Sequence, residues 1–571
     1  MTEPTPERSP DDPMDVDKEA RMLLNPPGES NANATNGQVV LPINNRQSSG
    51  VGMSKQELMK YANDPFWIRL RMTLFVLFWV VWFAMLIGAV LIIAFAPGCP
   101  ATSSLPWWKK CSLIQVDINL DDQPTIKEKL TRATNKVNDL KENIGVLQDS
   151  KMDGYLLTGL DPFLLQTDND TQVESDKFKN ALVELISEVH GDDVKGKIIV
   201  GLQLGETSTS HQWFTESSVV NATQYRDYYI WKKDKPINTT LRWDYRSELL
   251  LFWARITEGK ALLNYANTPM RDEVHQLFLN WVRTKLDGIQ LEGDLYVNDE
   301  QGQVHPSSDT LLQVHKWVKS GGQNKALLVA DSKLREDLTV QGEDDATYEL
   351  SPESTLWTEI STAGNVQEAL KKAFSHYVQL EKETVEQNVT KDGSETKEDV
   401  GQGWRTFVVD YPASEQNPIT SKHGVPIAEG VLAAFFFLPK STPIVKGLDP
   451  VQVAKLKNDK FISKLNDLRD THSESFLLGR TEILQVTSDH VFAVSRIYKE
   501  KNMFILLINF ATTSQEFEVK GTFPDATLFT PRIALTDTSN SNSTPLEKVV
   551  NMKAIKLEPH QVLFVEFAPN E

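Results

Sequence analysis

Two thiols and a set of Asn-X-Thr tripeptides are the residues of this chain whose type and spacing suggest chemistry before any fold is assumed. Cys99 stands three residues beyond a long apolar run, and Cys111 follows twelve residues later. Three outcomes are open to the pair: a bond between the two, two free thiols, or a bond from Cys99 to another chain. Spacing in sequence does not choose among them, because a disulfide is decided by Cα separation and side-chain direction. Asn169, Asn221, Asn238, Asn388 and Asn542 each begin an Asn-X-Thr acceptor for N-glycosylation, and so does Asn33. Both kinds of chemistry need the oxidising, glycosylating side of a membrane. The element that would put them there comes next.

From Met72 to Ala96 the chain runs for 25 residues without a charge. About 20 are enough to cross a hydrocarbon core ~30 Å thick. Lipid offers no partners to open backbone groups, so the run is expected to be a transmembrane helix. Lys55, Lys60, Arg69 and Arg71 precede it, against Lys109 and Lys110 after it. The positive-inside bias then predicts a cytosolic N-terminus and an outer C-terminal part, a type II signal-anchor arrangement. All five downstream acceptors fall outside in that topology, and Asn33 falls inside, unmodified. Trp67, Trp107 and Trp108 suit the two membrane interfaces. Polar residues fill the first 70 positions, which is unlike a cleavable leader.

The formal net charge of −19 and pI near 5.1 exclude nucleic acid as a partner class. The stretch 1–71 is rich in Pro, Asn, Ser and acids and reads as a largely disordered cytosolic tail. Span 72–96 is the anchor and 97–112 a short outer neck holding Cys99. Beyond it the periodicity alternates. Short β-like runs stand at 112–118, 154–160, 197–204, 288–293, 325–331, 354–359, 404–410 and 442–448. Amphipathic stretches such as IKEKLTRATNKVNDLKENIGVLQ and DEVHQLFLNWVRTKL separate most of them. Eight strands interleaved with helices predict an α/β fold, a parallel (β/α)8 TIM barrel, over 113–480. After 480 the runs HVFAVSRIY, NMFILLINF, SQEFEVKG, AIKLEP and QVLFVEF predict a C-terminal antiparallel β-sandwich over 481–571.

The string LNYANTPMRDEVHQLFLNWVRTKLDGIQLE resembles the approach to the fourth barrel strand in α-amylase-type glycoside hydrolases. TSTSHQWF and YRDYYIWKKDK are similar to the loop after strand three in the α-glucosidases of that family. VLAAFFFLPKSTPIV resembles the approach to their eighth strand. The resemblance covers about 113–571 and implies a barrel of the α-amylase type with a C-terminal β-domain. Position by position it implies a degenerate site. Gln290 stands where the family has an Arg, and Glu292 stands at its nucleophile position. Asp331 corresponds to the general acid. Gly205 and Glu206 replace an Asn-His pair, and Gly201 replaces the Asp before it. Pro412 takes the place of a third carboxylate, and Tyr411 that of its His. A retaining glycosidase needs two carboxyl groups about 5–5.5 Å apart. Glu292 is a methylene longer than the residue it replaces and Asp331 a methylene shorter, and an error of about 1 Å can cost roughly 100-fold. The expectation is no catalysis, no cofactor and no metal.

An α-amylase-like barrel on a type II anchor resembles the heavy-chain subunits of the heteromeric amino-acid transporters, also known as the cell-surface antigen heavy chain. The closest stretch is KQELMKYANDPFWIRLRMTLFVLFWVVWFAMLIGAVLIIAFAPGC. The resemblance implies that Cys99 forms a disulfide to a polytopic light chain, which the heavy chain brings to the plasma membrane for amino-acid transport. A membrane-anchored α-glucosidase is the alternative from a different class. It would require an Asp at 292 and an Arg at 290.

Overall fold

The computed structural model describes residues 64–95, 106–118, 125–165, 172–220, 224–236, 241–322, 324–330, 349–350, 359–387, 405–448, 453–498, 503–521, 523–524, 529–536 and 548–569, with Met59. Two compact units divide the chain, 1–102 and 103–571. In the first, helix α1 spans Pro65–Phe95, 31 residues, and begins before the uncharged run. It is apolar on every side, as expected of a helix whose whole circumference meets lipid, and the stretch Pro65–Gly88 is long and apolar enough to cross a membrane.

In the second unit eight parallel strands close a barrel. These are β1 (Leu113–Asp117), β2 (Gly154–Leu160), β3 (Lys197–Leu202), β4 (Gly288–Glu292), β5 (Ala326–Ala330), β6 (Glu349–Leu350), β7 (Arg405–Asp410) and β8 (Ser441–Lys446). Neighbouring strands pair in chain order, and β8 returns to β1. The α/β barrel expected from the alternating periodicity is therefore present. The sixth strand is the exception in position. It is described at Glu349–Leu350; of the expected run 354–359 only Glu359 falls within the described residues, and it belongs to a helical turn.

Strand alternation sorts the side chains into two cores. One set of positions, including Val116, Leu157, Val200, Leu291, Val329 and Val445, meets the surrounding helices. The other set points into the barrel, where Leu113, Leu156, Ile199, Leu328 and Ile444 form a closed apolar layer. Helix α2 (Ile126–Glu142) starts at Thr125, whose side chain accepts the Glu128 N–H in a capping arrangement. The single amphipathic stretch expected over IKEKLTRATNKVNDLKENIGVLQ breaks at Asn143–Gly145, and a short helix resumes at Val146–Ser150.

Trp107 and Trp108 are not free to sit at a lipid interface. The short helix Trp107–Lys110 closes the N-terminal end of the barrel. The Trp107 indole donates to the Asn324 carbonyl at 2.9 Å, and the Thr442 hydroxyl donates to the Trp108 carbonyl at 2.9 Å. Lys197 and Lys319 stand over the two rings, 5.2 and 4.9 Å from their centroids. The barrel needs an apolar floor beneath its lowest layer, and these rings supply it beside Cys111.

Between β3 and β4 the chain makes an excursion over 205–265 that the periodicity did not mark as strands. Two small antiparallel sheets form there, one joining Glu206–Ser208 to Lys260–Leu262, the other built from Trp231–Lys232, Arg242–Arg246 and Leu251–Arg255. Rings hold the excursion together. Phe214 stacks on Trp231 at 5.7 Å and Trp213 meets Tyr228 edge-on at 5.3 Å.

The C-terminal part contains a five-stranded antiparallel sheet, with strands β9 (Arg480–Ile483), β10 (Val491–Ile497), β11 (Met503–Asn509), β12 (Phe529–Thr536) and β13 (Val562–Pro569) in the spatial order β9-β10-β11-β13-β12. Alternation again divides its faces. Phe504, Leu506 and Ile508 join the core shared with the barrel, while Met503, Ile505 and Leu507 build a second core with Phe517, Val519 and Leu557. At the junction two arginines are fully enclosed. Arg469 donates to the Phe436 carbonyl at 2.7 Å and to the Ser441 carbonyl, and Arg496 donates to the Phe476 carbonyl at 2.6 Å. Phe436 ends helix α3 (Val425–Phe436), so Arg469 meets the negative end of a helix dipole.

Candidate functional site

In barrels of this kind chemistry is carried at the C-terminal ends of the strands. Here the inward positions grow more polar toward that end. Gln115 of β1 donates to the Thr158 hydroxyl of β2 at 3.2 Å. Gln290 of β4 is buried, in register with Gly201 of β3 and Leu328 of β5. One layer higher stand Glu292 and, in β7, Asp410.

Glu292 does not project freely into the barrel mouth. Its carboxylate lies in the space that Gly201 leaves open. A Cβ at Gly201 would fall inside contact distance of Glu292 Oε1 and at 3.2 Å from Thr158 Cγ2. A side chain at 201 and an extended acid at 292 therefore compete for one volume. The two substitutions noticed in the sequence are a coupled pair.

Glu206 is committed elsewhere. It is buried and accepts the Ile256 N–H at 2.5 Å and the Thr257 N–H at 3.1 Å. Those bonds tie the start of the 205–265 excursion to its end, a structural task for a carboxylate. Tyr411 is also engaged, its hydroxyl donating to Asp459 at 3.0 Å. The Pro412 carbonyl accepts the Thr420 hydroxyl at 2.5 Å. No carboxylate stands at 412, so the third acid of a hydrolase is absent from that place. Asp331 lies outside the described residues; β5 is described as far as Ala330, the register partner of Glu292.

The sequence reading passed over Asp410 and Asp294. Both are buried carboxylates at or just after strand ends. Asp410 is held where Asn417 donates to its backbone carbonyl at 3.0 Å. The acid closing the run WRTFVVD was the signal that could have found it. Near the barrel mouth, burial pushes the His211 imidazole down to about 4, and its ring caps the helix Gln212–Ser217 by accepting the Trp213 N–H at 3.3 Å. Among the described residues no group of His, Cys, Asp and Glu is arranged to hold a metal ion.

Of the two thiols, Cys111 is buried, its Sγ 3.4 Å from the Trp108 carbonyl. Cys99 and all five downstream acceptor asparagines lie outside the described residues.

Comparison with known proteins adds two family matches. Residues 39–114 match the solute carrier family 3 member 2 N-terminus, and residues 176–390 match the alpha amylase catalytic domain. One polypeptide thus holds a segment similar to a transporter heavy-chain N-terminus and a segment similar to an alpha-amylase catalytic domain. It is similar to the amino acid transporter heavy chain SLC3A2 of Mus musculus, at 35% identity over 106 residues, 19% of each chain. It is also similar to alpha-amylase 3 of Dictyoglomus thermophilum, at 32% identity over 120 residues, 20% of this chain and 23% of that one. The matched segments thus span about a fifth of each relative's length. Among solved structures, the trehalose-6-phosphate hydrolase of Bacillus licheniformis superposes with a TM-score of 0.55 at 15% identity, covering 81% of this chain and all of that one. That likeness is one of fold. The first matched segment contains Cys99 and α1, and the second contains Gly201, Gln290, Glu292 and Asp331.

Proposed function

We propose that this chain is the non-catalytic heavy chain of a heteromeric amino-acid transporter. In this reading α1 is a type II anchor with the N-terminus in the cytosol and the barrel outside the cell. Cys99 forms a disulfide to a polytopic light chain, and the heavy chain brings that subunit to the plasma membrane. The observation that carries the reading is the heavy-chain N-terminus match across residues 39–114, the segment containing both α1 and Cys99.

The site chemistry agrees with a non-catalytic role. Glu292 is turned into the gap above Gly201, Glu206 holds a loop, and Pro412 stands where a third acid would be required. The decisive experiment is a non-reducing gel of the full chain expressed in membranes. Cys99→Ser should abolish a high-mass band that contains a polytopic transporter subunit, and Cys111→Ser should leave it. The opposite pattern would show that the wrong thiol has been chosen. Absence of any such band in the unaltered chain would remove the reading's main support.

A further inference from the structure

The 205–265 excursion holds a cavity of its own, apart from Glu292 and Gly201. Its volume is about 420 Å³, toward the small end of the range for ligand pockets, which begins near 300 Å³. One wall is the helix Gln212–Ser217 and the residues beside it, with Thr209, Phe214, Thr215 and Ser218. The other comes from the strands Arg242–Arg246 and Leu251–Arg255, with Arg246 and Trp253. Asp244 pairs with Trp253 and Arg246 with Leu251, so Arg246 and Trp253 are diagonal neighbours on one face of the sheet. Phe214 meets Trp253 edge-on at 5.5 Å, which gives the lining an aromatic surface.

The polar groups divide by what they have left to offer. A hydroxyl has one proton to donate. Thr209 gives its proton to the Gly259 carbonyl at 3.1 Å, Thr215 to the Gln212 carbonyl at 3.0 Å, and Ser218 to the Thr215 carbonyl at 2.8 Å. All three oxygens can therefore meet a ligand only as acceptors. Arg246 is the opposite case, with five donors and no acceptor. Its Nε lies 3.2 Å from Glu248, an exposed acid outside the lining. Its Nη2 comes only to 3.5 Å from Ser218 Oγ, beyond the usual hydrogen-bond range. Asp244, the acid on the same face of the sheet, is committed to Arg255 at 2.5 Å. The guanidinium edge that grips carboxylates through two parallel bonds is left with donors to give.

A ligand for this lining must accept from a cation, donate to three oxygens and cover an aromatic surface. We propose that the cavity binds a free neutral α-amino acid with an apolar side chain. Its carboxylate meets Arg246, its ammonium lies among the Thr209, Thr215 and Ser218 oxygens, and its side chain covers Phe214 and Trp253. An ammonium has three N–H donors and no acceptor, the complement of three acceptor-only oxygens. A neutral sugar has no anion to offer Arg246. The lining sets the ligand; its use, holding amino acids on the outer side for the transporting subunit, rests on the heavy-chain reading above.

The test uses the full chain purified in detergent without a light chain, so that no transporter site contributes. Saturation-transfer NMR reads binding of L-leucine, L-leucinamide, N-acetyl-L-leucine and methyl α-glucoside. Leucine should bind. The amide lacks the carboxylate and the N-acetyl form lacks the ammonium, and each should bind about tenfold more weakly or worse. Arg246→Gln should weaken leucine binding by about tenfold, the loss of one bidentate charge-assisted contact, and Arg246→Lys by less. Thr215→Val, at an exposed position, should weaken it about threefold, and it decides the matter if thermal unfolding shows that the Arg246 variants do not fold. Failure of leucine to bind the unaltered chain, equal binding of the two blocked forms, or unchanged binding in the folded variants would overturn the proposal. So would methyl α-glucoside binding that Arg246→Gln removes, which would mark a sugar site. Leucine binding by a chain that forms no Cys99-dependent band would uphold the cavity and overturn the heavy-chain reading. The band without leucine binding would do the reverse.

Discussion

At position 292 this chain has a Glu, and the structure shows what the extra methylene does. The carboxylate reaches across to β3 and fills the space that Gly201 leaves open. Replacing Gly201 with Ala should force that carboxylate aside, and shortening Glu292 to Asp should free the same volume. Single and double variants should therefore be non-additive in unfolding free energy, with a coupling of about 0.5–3 kcal/mol in the sense that Glu292→Asp relieves Gly201→Ala. Denaturant unfolding of the four proteins measures it, and strict additivity would show that the two side chains do not compete. The same geometry bears on catalysis. The purified outer domain should hydrolyse α-glucosides at well under ~1 s⁻¹, the lower end of ordinary enzymes. Restoring Arg at 290 and Asp at 292 together should not raise the rate, because Pro412 still provides no acid. A turnover in the enzyme range, in the native or the restored protein, would make the α-glucosidase reading the better one.

Elements differ in how plainly the sequence announces them. Strands β4 and β5 were legible because β4 alternates apolar with polar residues between two glycines and β5 is an apolar run closed by Asp, and alternation fixes which residues face inward. β6 at Glu349–Leu350 was not marked because a strand of two residues has no periodicity to read, and most of the neighbouring STLWTE lies outside the described residues. The 205–265 excursion was missed for another reason. Its strands are short and mix polar with aromatic residues, held by ring stacking, by Glu206 and by a small apolar cluster of Ile230, Trp243, Ala254 and Leu262 that has no long alternating run behind it. His211 belongs to this excursion and gives it a pH response. Burial lowers the folded-state value of its imidazole to about 4, from an ordinary 6.5. A depressed histidine favours the folded state while it is neutral. Stability from this group is therefore complete above pH 6.5 and lost as pH falls toward 4. Protonation also removes the lone pair that caps Gln212–Ser217. Unfolding free energy should fall by about 2 kcal/mol across that window, an amount discounted for partial exposure of the ring. His211→Asn supplies a good N-cap that does not titrate there, and its pH profile should be flatter by that amount. Equal slopes in the two proteins would assign the pH response to other groups.

For the whole molecule, the anchor and the barrel could be read from sequence because each rests on a long-range regularity, an uncharged run in one case and repeated strand–helix alternation in the other. The pairing of Glu292 with Gly201 could not, since 91 residues separate them and only closure of the barrel brings them together. The use of Trp107 and Trp108 as a barrel floor was hidden for the same reason. Their sequence neighbours are those of an interfacial belt, while their spatial neighbours are Lys197, Lys319 and Asn324. Orientation across the membrane is a property of the molecule as a whole, and glycosylation reads it directly. In the proposed orientation the positive charges at Lys55, Lys60, Arg69 and Arg71 favour a cytosolic tail. Asn33 would then stay unmodified, and Asn169, Asn221, Asn238, Asn388 and Asn542 would all be presented to the glycosylating side. Digestion of the membrane-expressed chain with an N-glycan-removing enzyme should lower its apparent mass. Replacing those five asparagines with Gln should abolish the shift, whereas Asn33→Gln should not alter it. A shift that depends on Asn33 would reverse the topology. It would place Cys99 in a reducing compartment, where an interchain disulfide does not persist.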